Sequence, residues 1–83
     1  MKIYTVLEHI YTDNWINVFN YSSLEKAKEW LKDLIEYYKE NYSEMFNDES
    51  HFSIYDDYFY LWNDDYDLVV IELFENELDK DTL

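Results

Sequence analysis

Asn63, Asp65 and Asp67 stand at the first, third and fifth positions of a loop that could ligate calcium, a hard cation that takes about six to eight oxygen ligands. The rest of that pattern fails. The sixth position, which needs glycine for its sharp turn, is Leu68; the twelfth is Phe74, with Glu75 one place late; and the flanking segments read as strands. An acidic β-turn is the better explanation of these three residues. Nucleophilic catalysis fares no better. The chain has no cysteine, its serines stand in no nucleophile elbow, and without glycine it has no backbone loop to cradle a phosphate. His9 lies in a strand-like run beside Glu8, and His51 opens another, so each is expected to be an ordinary structural histidine. The expectation is a protein without catalytic residues, metal or cofactor.

Tyrosine and aspartate interleave in Tyr55-Asp56-Asp57-Tyr58-Phe59-Tyr60 and again in Trp62-Asn63-Asp64-Asp65-Tyr66-Asp67. Two explanations compete. In one, a hairpin packs its rings inward and its acids keep an exposed edge soluble. In the other the same residues bind a partner. Alternate residues on one strand face stand about 6.6 Å apart, so carboxylates on a rigid sheet can present regularly spaced charge to a groove built for a phosphate backbone. Tyrosine adds ring faces for lysine or arginine to cover and is a frequent interface hot spot. The candidate partner-binding set is Asp56, Asp57, Tyr58, Tyr60, Asp64, Asp65, Tyr66 and Asp67, joined by Glu72 and Glu75 of the last strand.

Charge supports the second explanation. The formal net charge is −14, and it is not evenly spread. Residues 1 to 39 nearly balance, whereas Lys80 is the only cation beyond Glu40. One-sign charge on this scale costs stability through self-repulsion but attracts basic surfaces over long range. Nucleic acid and anionic membranes would be repelled, and the chain has no arginine with which to grip a phosphate. A cationic protein surface is the expected partner, and the commonest kind is one that itself binds nucleic acid. Binding there would work by occlusion.

Eighty-three residues suffice for one domain, 1–83, and 48% hydrophobic and 22% aromatic content exclude overall disorder. The core is expected to be built from aromatics. No apolar stretch approaches a membrane span and no signal-peptide pattern opens the chain, so a cytoplasmic location is the default expectation. Without glycine or proline, turns fall to Asn, Asp and Ser. Lys2 to Tyr11 and Trp15 to Tyr21, separated by Thr12-Asp13-Asn14, predict a β-hairpin. Ser22-Ser23-Leu24-Glu25 fits a capping box with Ser22 as the cap, opening a helix on which Leu24, Ala27, Leu31, Leu34, Ile35, Tyr38, Tyr42 and Met45 share a face. Glu29 with Lys32 and Lys32 with Glu36 are spaced to pair on the opposite face. Asn47 to Ser50 stops the helix; His51 to Trp62 reads as strand, bulged or broken into a hairpin at Asp56-Asp57. Leu68 to Phe74 forms a last strand, and residues 75–83 read as a charged, partly disordered tail. The fold class is α+β: an antiparallel sheet in the order β-β-α-β-β with one long amphipathic helix packed on one face.

Size, acidity and the lack of catalytic machinery together resemble the small phage-encoded inhibitors of bacterial defence, the anti-CRISPR and anti-restriction proteins that mimic DNA. A composition favoured by AT-rich codons suits that source. This resemblance implies an inhibitor that blocks DNA binding by a CRISPR effector nuclease, or, as second candidate, by a restriction enzyme. Separately, Tyr4-Thr5-Val6-Leu7-Glu8-His9-Ile10-Tyr11, Tyr21-Ser22-Ser23-Leu24-Glu25-Lys26-Ala27 and Glu75-Asn76-Glu77-Leu78-Asp79 are similar to short uncharacterised β-β-α-β proteins of phages and bacteria, which supports the fold and implies no activity. The alternative function is a small adaptor that binds through an aromatic patch, as a monomer or a homodimer.

Overall fold

The computed structural model describes residues 2–47 and 51–77. Strands β1 (Lys2–Ile10) and β2 (Trp15–Tyr21) form the first hairpin, α1 (Leu24–Asn41) follows, and a short 3-10 turn (Met45–Asn47) leads towards β3 (Phe52–Tyr55), β4 (Tyr58–Trp62) and β5 (Asp67–Glu77). All neighbours are antiparallel in the order β2-β1-β5-β4-β3, with α1 packed on one face. The α+β class therefore stands, with the last segment returning between β1 and β4. The segment His51 to Trp62 is broken at Asp56-Asp57 and contributes two strands, so three follow the helix. Strand β5 continues through Glu77, which corrects the expected tail: residues 75–77 pair with β1, as in Ile3 with Asn76. The remainder of that tail, 78–83, and residues 48–50 of the expected stop lie outside the described residues.

The first turn shows how the chain manages without glycine. Asn14 takes φ 50°, the left-handed region that asparagine tolerates better than other side chains with a Cβ. The helix begins one residue later than the capping box implies. Ser23 is the N-cap and its hydroxyl accepts from the Lys26 amide at 3.4 Å. Replacing Ser23 with alanine is expected to cost about 1 kcal/mol, read as a lower urea midpoint, because an amide of the first turn loses its acceptor. Glu29 and Lys32 do not pair as their spacing suggests; among the described residues the helix ion pair is Lys39 with Glu36, at 3.6 Å. Exposed pairs of this kind contribute about 0–1 kcal/mol, so the exchange of partners is a small matter.

Alternation along the strands sorts the side chains. Val6, Phe59, Leu61, Val69, Ile71 and Leu73 turn towards α1 and bury against Ala27, Leu31, Leu34, Ile35 and Tyr38. The centre of this core is mostly aliphatic, with Phe59 and Tyr38 as its buried rings, which corrects the expected aromatic core. Aromatics such as Phe19, Trp30, Phe46 and Phe52 instead ring its edge. At the start of β5 the register slips, because Leu61 pairs with Val69 but Trp62 pairs with Asp67. Leu68 is the extra residue of this bulge. Consecutive Leu68 and Val69 are both buried as a result, and Asp67 is turned to the other side of the sheet. No helix among the described residues is long and apolar enough to cross a membrane.

Candidate functional site

One helix can cover only one face of a five-stranded sheet. Strands β1 and β5 are nevertheless apolar at both alternate positions, as in Val6-Leu7 and Val69-Val70-Ile71, a pattern that belongs to strands buried on both sides. Among the described residues nothing covers the second face. Cross-strand register places Ile16 opposite His9, Val18 opposite Leu7, His9 opposite Val70 and Leu7 opposite Glu72 on that side. It continues with Glu72 opposite Tyr58, Val70 opposite Tyr60 and Asp67 opposite Trp62. Ile16 and Val18 remain more than half exposed, at 53% and 54%, although both sit in a strand. The β3–β4 side of the face is a band of rings. Tyr55, Tyr58, Tyr60 and Trp62 follow one another at centroid separations of 6.2, 6.5 and 4.6 Å, and His9 stacks on Tyr11 at 3.9 Å.

The ten residues expected to bind a partner are placed as follows. Tyr58, Tyr60 and Glu72 lie on this open face, and the bulge adds Asp67, which accepts a hydrogen bond from the Tyr60 hydroxyl. Asp56 and Asp57 form the β3–β4 turn at one end of the sheet. Asp64, Asp65 and Tyr66 occupy the β4–β5 turn at the other end, beside the β1–β2 turn. The acids thus stand in two groups with the aromatic band between them, and not in one row. Glu75 does not belong to the face. It pairs with Tyr4 on the helix side, where its carboxylate meets Lys2 at 3.2 Å. The open face also gathers Leu7, His9, Tyr11, Ile16, Val18, Trp62, Val70 and Phe74, which the sequence pattern of Tyr and Asp did not single out. For Leu7, Val70 and Phe74 the signal was the two-sided apolarity of β1 and β5 in a chain with a single helix.

The turn at Asn63 is built from its own atoms. The Asn63 side-chain oxygen accepts from the amides of Asp65 and Tyr66, each at 2.8 Å, and the Asn63 amide donates to the Tyr66 carbonyl at 3.0 Å. The Asn63 oxygen and one oxygen of Asp67, which Tyr60 engages, are thus already bonded within the protein.

The Tyr58 and Tyr60 phenols are held protonated. The hydrogen bond to Asp67, then burial, push Tyr60 up to about 12; burial, then the Glu72 charge, raise Tyr58. A raised phenol stabilises the fold fully below its unfolded value near 10, and that contribution is lost as pH rises through the folded value. Stability should therefore fall between about pH 10 and 12, and Tyr60→Phe should flatten part of that slope in urea titrations run across the window. An unchanged slope would mean that Tyr60 does not hold its proton through Asp67.

Electrostatically the two sides of the molecule differ. Lys26, Lys28, Lys32 and Lys39 lie on α1, and Lys2 ties to Glu75 on the same side, so every described lysine belongs to the helix layer. The open face carries Glu72 and Asp67, with Asp56, Asp57, Asp64 and Asp65 at its ends. The chain matches no known family model, no curated protein and no solved structure.

Proposed function

We propose that the chain is a non-enzymatic protein-binding protein whose open sheet face docks on the cationic surface that a target protein keeps for nucleic acid, and so inhibits it by occlusion. The observation that carries this reading is the segregation of charge and rings. An aromatic and aliphatic band lies between two acidic turns on the side of the sheet where none of the described lysines stands. Rings at the centre with charge at the rim are the usual anatomy of a protein interface. The principal extents of 47 × 24 × 17 Å describe a slab whose broad face exceeds the roughly 800 Å² per partner of a standard interface.

Two parts of the face then have separate tasks. The acidic turns steer the encounter and set its salt dependence; Tyr58, Tyr60 and Trp62 anchor the bound state. A second copy of the chain is a poorer occupant, because a two-fold contact through this face would set like charges against each other in a molecule of net charge −14. The resemblance to phage inhibitors makes a CRISPR effector nuclease the first target to try and a restriction enzyme the second.

The test is kinetic. Changing Asp56, Asp57, Asp64 and Asp65 to asparagine should slow association with the captured partner by about tenfold at low salt and flatten its salt dependence, with dissociation little altered. An unchanged association rate and salt slope would remove the cationic surface from the proposal.

A further inference from the structure

A second site lies on the opposite side of the sheet. Where α1 leaves the β1–β2 hairpin, a cavity of about 600 Å³ opens between helix and sheet, within the size range of small-molecule sites. Its walls combine two kinds of group. Phe19, Trp30, Tyr37, Tyr38 and Tyr42 supply five aromatic rings, with Phe19 and Trp30 edge to face at 5.1 Å and Tyr38 stacked near Tyr42 at 6.1 Å. Glu8, Asp13 and Asp33 supply three carboxylates, and among the described residues no lysine or histidine lines the cavity.

Glu8 is the unusual member. It is only 5% exposed, yet the lysine ion pairs among the described residues are made by Glu36 and Glu75. One Glu8 oxygen accepts from the Asn17 amide at 2.9 Å and the other from the Tyr38 hydroxyl. Burial, together with that bond, raises the Tyr38 phenol, so it remains a donor and adds no charge of its own. A buried carboxylate without a counter-charge is expensive to maintain, and the neighbouring Asp13 and Asp33 add to the negative potential.

We infer that this cavity binds a small organic ammonium ion. The rings offer their negative faces to the cation, and the Glu8 carboxylate supplies the counter-charge. A simple metal ion is a poor fit, because it would need several oxygens freed from existing bonds, whereas an alkylated ammonium keeps its charge while touching rings.

The experiment titrates the isotope-labelled full chain with choline and, separately, with the neutral alcohol in which carbon replaces the quaternary nitrogen, at constant ionic strength. Choline is expected to move the Trp30 indole resonance saturably, assigned through Trp30→Phe, and to bind at least about tenfold more tightly than the alcohol. Glu8→Gln, checked for a folded spectrum, should lower choline affinity by about tenfold or more; Asp33→Asn, on the exposed rim, should lower it by about two- to threefold. Equal affinity for the neutral alcohol would overturn the inference. So would shifts spread over the acidic turns at 56–57 and 64–65, which mark diffuse counter-ion binding, or an affinity that neither variant alters. None of these outcomes touches the open face, so the two readings fail separately.

Discussion

Replacing Tyr58 and Tyr60 together with alanine is expected to abolish partner capture while the protein stays folded. The two rings sit side by side on β4, between Glu72 and Asp67 on the uncovered face. Buried tyrosines in such positions are worth about 2 kcal/mol or more each, so the pair accounts for roughly a thousandfold in affinity. Their contribution to the fold is much smaller, because they pack on the sheet from the outside and the core lies beneath them. The comparison with the acidic turns decides which effect dominates. Removing four rim carboxylates should alter the rate of encounter by about tenfold, whereas removing two anchors should raise the dissociation rate by orders of magnitude. Binding and thermal unfolding measured on the same variant separate the two possibilities. Lost capture with an intact transition supports the face as the binding surface, and retained capture contradicts it.

The largest effect on stability belongs to Phe59→Ala. Phe59 is fully buried, pairs across the sheet with Ile71, and lies near the rings of Tyr38 at 6.1 Å and Phe46 at 6.0 Å. It is where α1, the 3-10 turn and the sheet meet. Truncation there removes a large transfer contribution and leaves a cavity, at a cost of about 3–5 kcal/mol. A domain of this size begins with only about 5–10 kcal/mol and loses some of that to self-repulsion, so the variant should be largely unfolded in mild urea. The neighbouring exposed Ile54→Ala is expected to cost less than about 1 kcal/mol. If the two variants unfolded at similar urea concentrations, the helix would not be packed on β4 as described.

Much of this architecture was legible because period two and period 3.6 alternate cleanly along the chain. The helix face from Ala27 to Tyr38, the turn at Asn14 and the split at Asp56-Asp57 all follow from local residue chemistry. Three things did not. The return of β5 between β1 and β4 is a long-range choice that no local pattern records. The bulge at Leu68 depends on register with Leu61 and Trp62, and it alone moves Asp67 next to Tyr60. The strand continues through Glu77 because β1 supplies a pairing edge that outweighs the local charge. The candidate site was half legible for a similar reason. Tyrosine and aspartate marked Tyr58, Tyr60 and the two turns, but adjacency in sequence suggested one row of acids, whereas the hairpin sends Asp56-Asp57 and Asp64-Asp65 to opposite ends. Leu7, Ile16 and Val18 carry no such mark; they become functional candidates only because the helix lies on the other face.

The central claim is that the open sheet face takes a surface built for nucleic acid, and capture from a bacterial lysate tests it most directly. The wild-type chain and the Tyr58→Ala/Tyr60→Ala variant are immobilised in parallel, at low and high salt, with and without competing duplex DNA. The account predicts that the wild type alone retains a nucleic-acid-binding protein, and that salt and DNA each release it. Capture of the same proteins by both chains, or capture indifferent to salt and DNA, would contradict it.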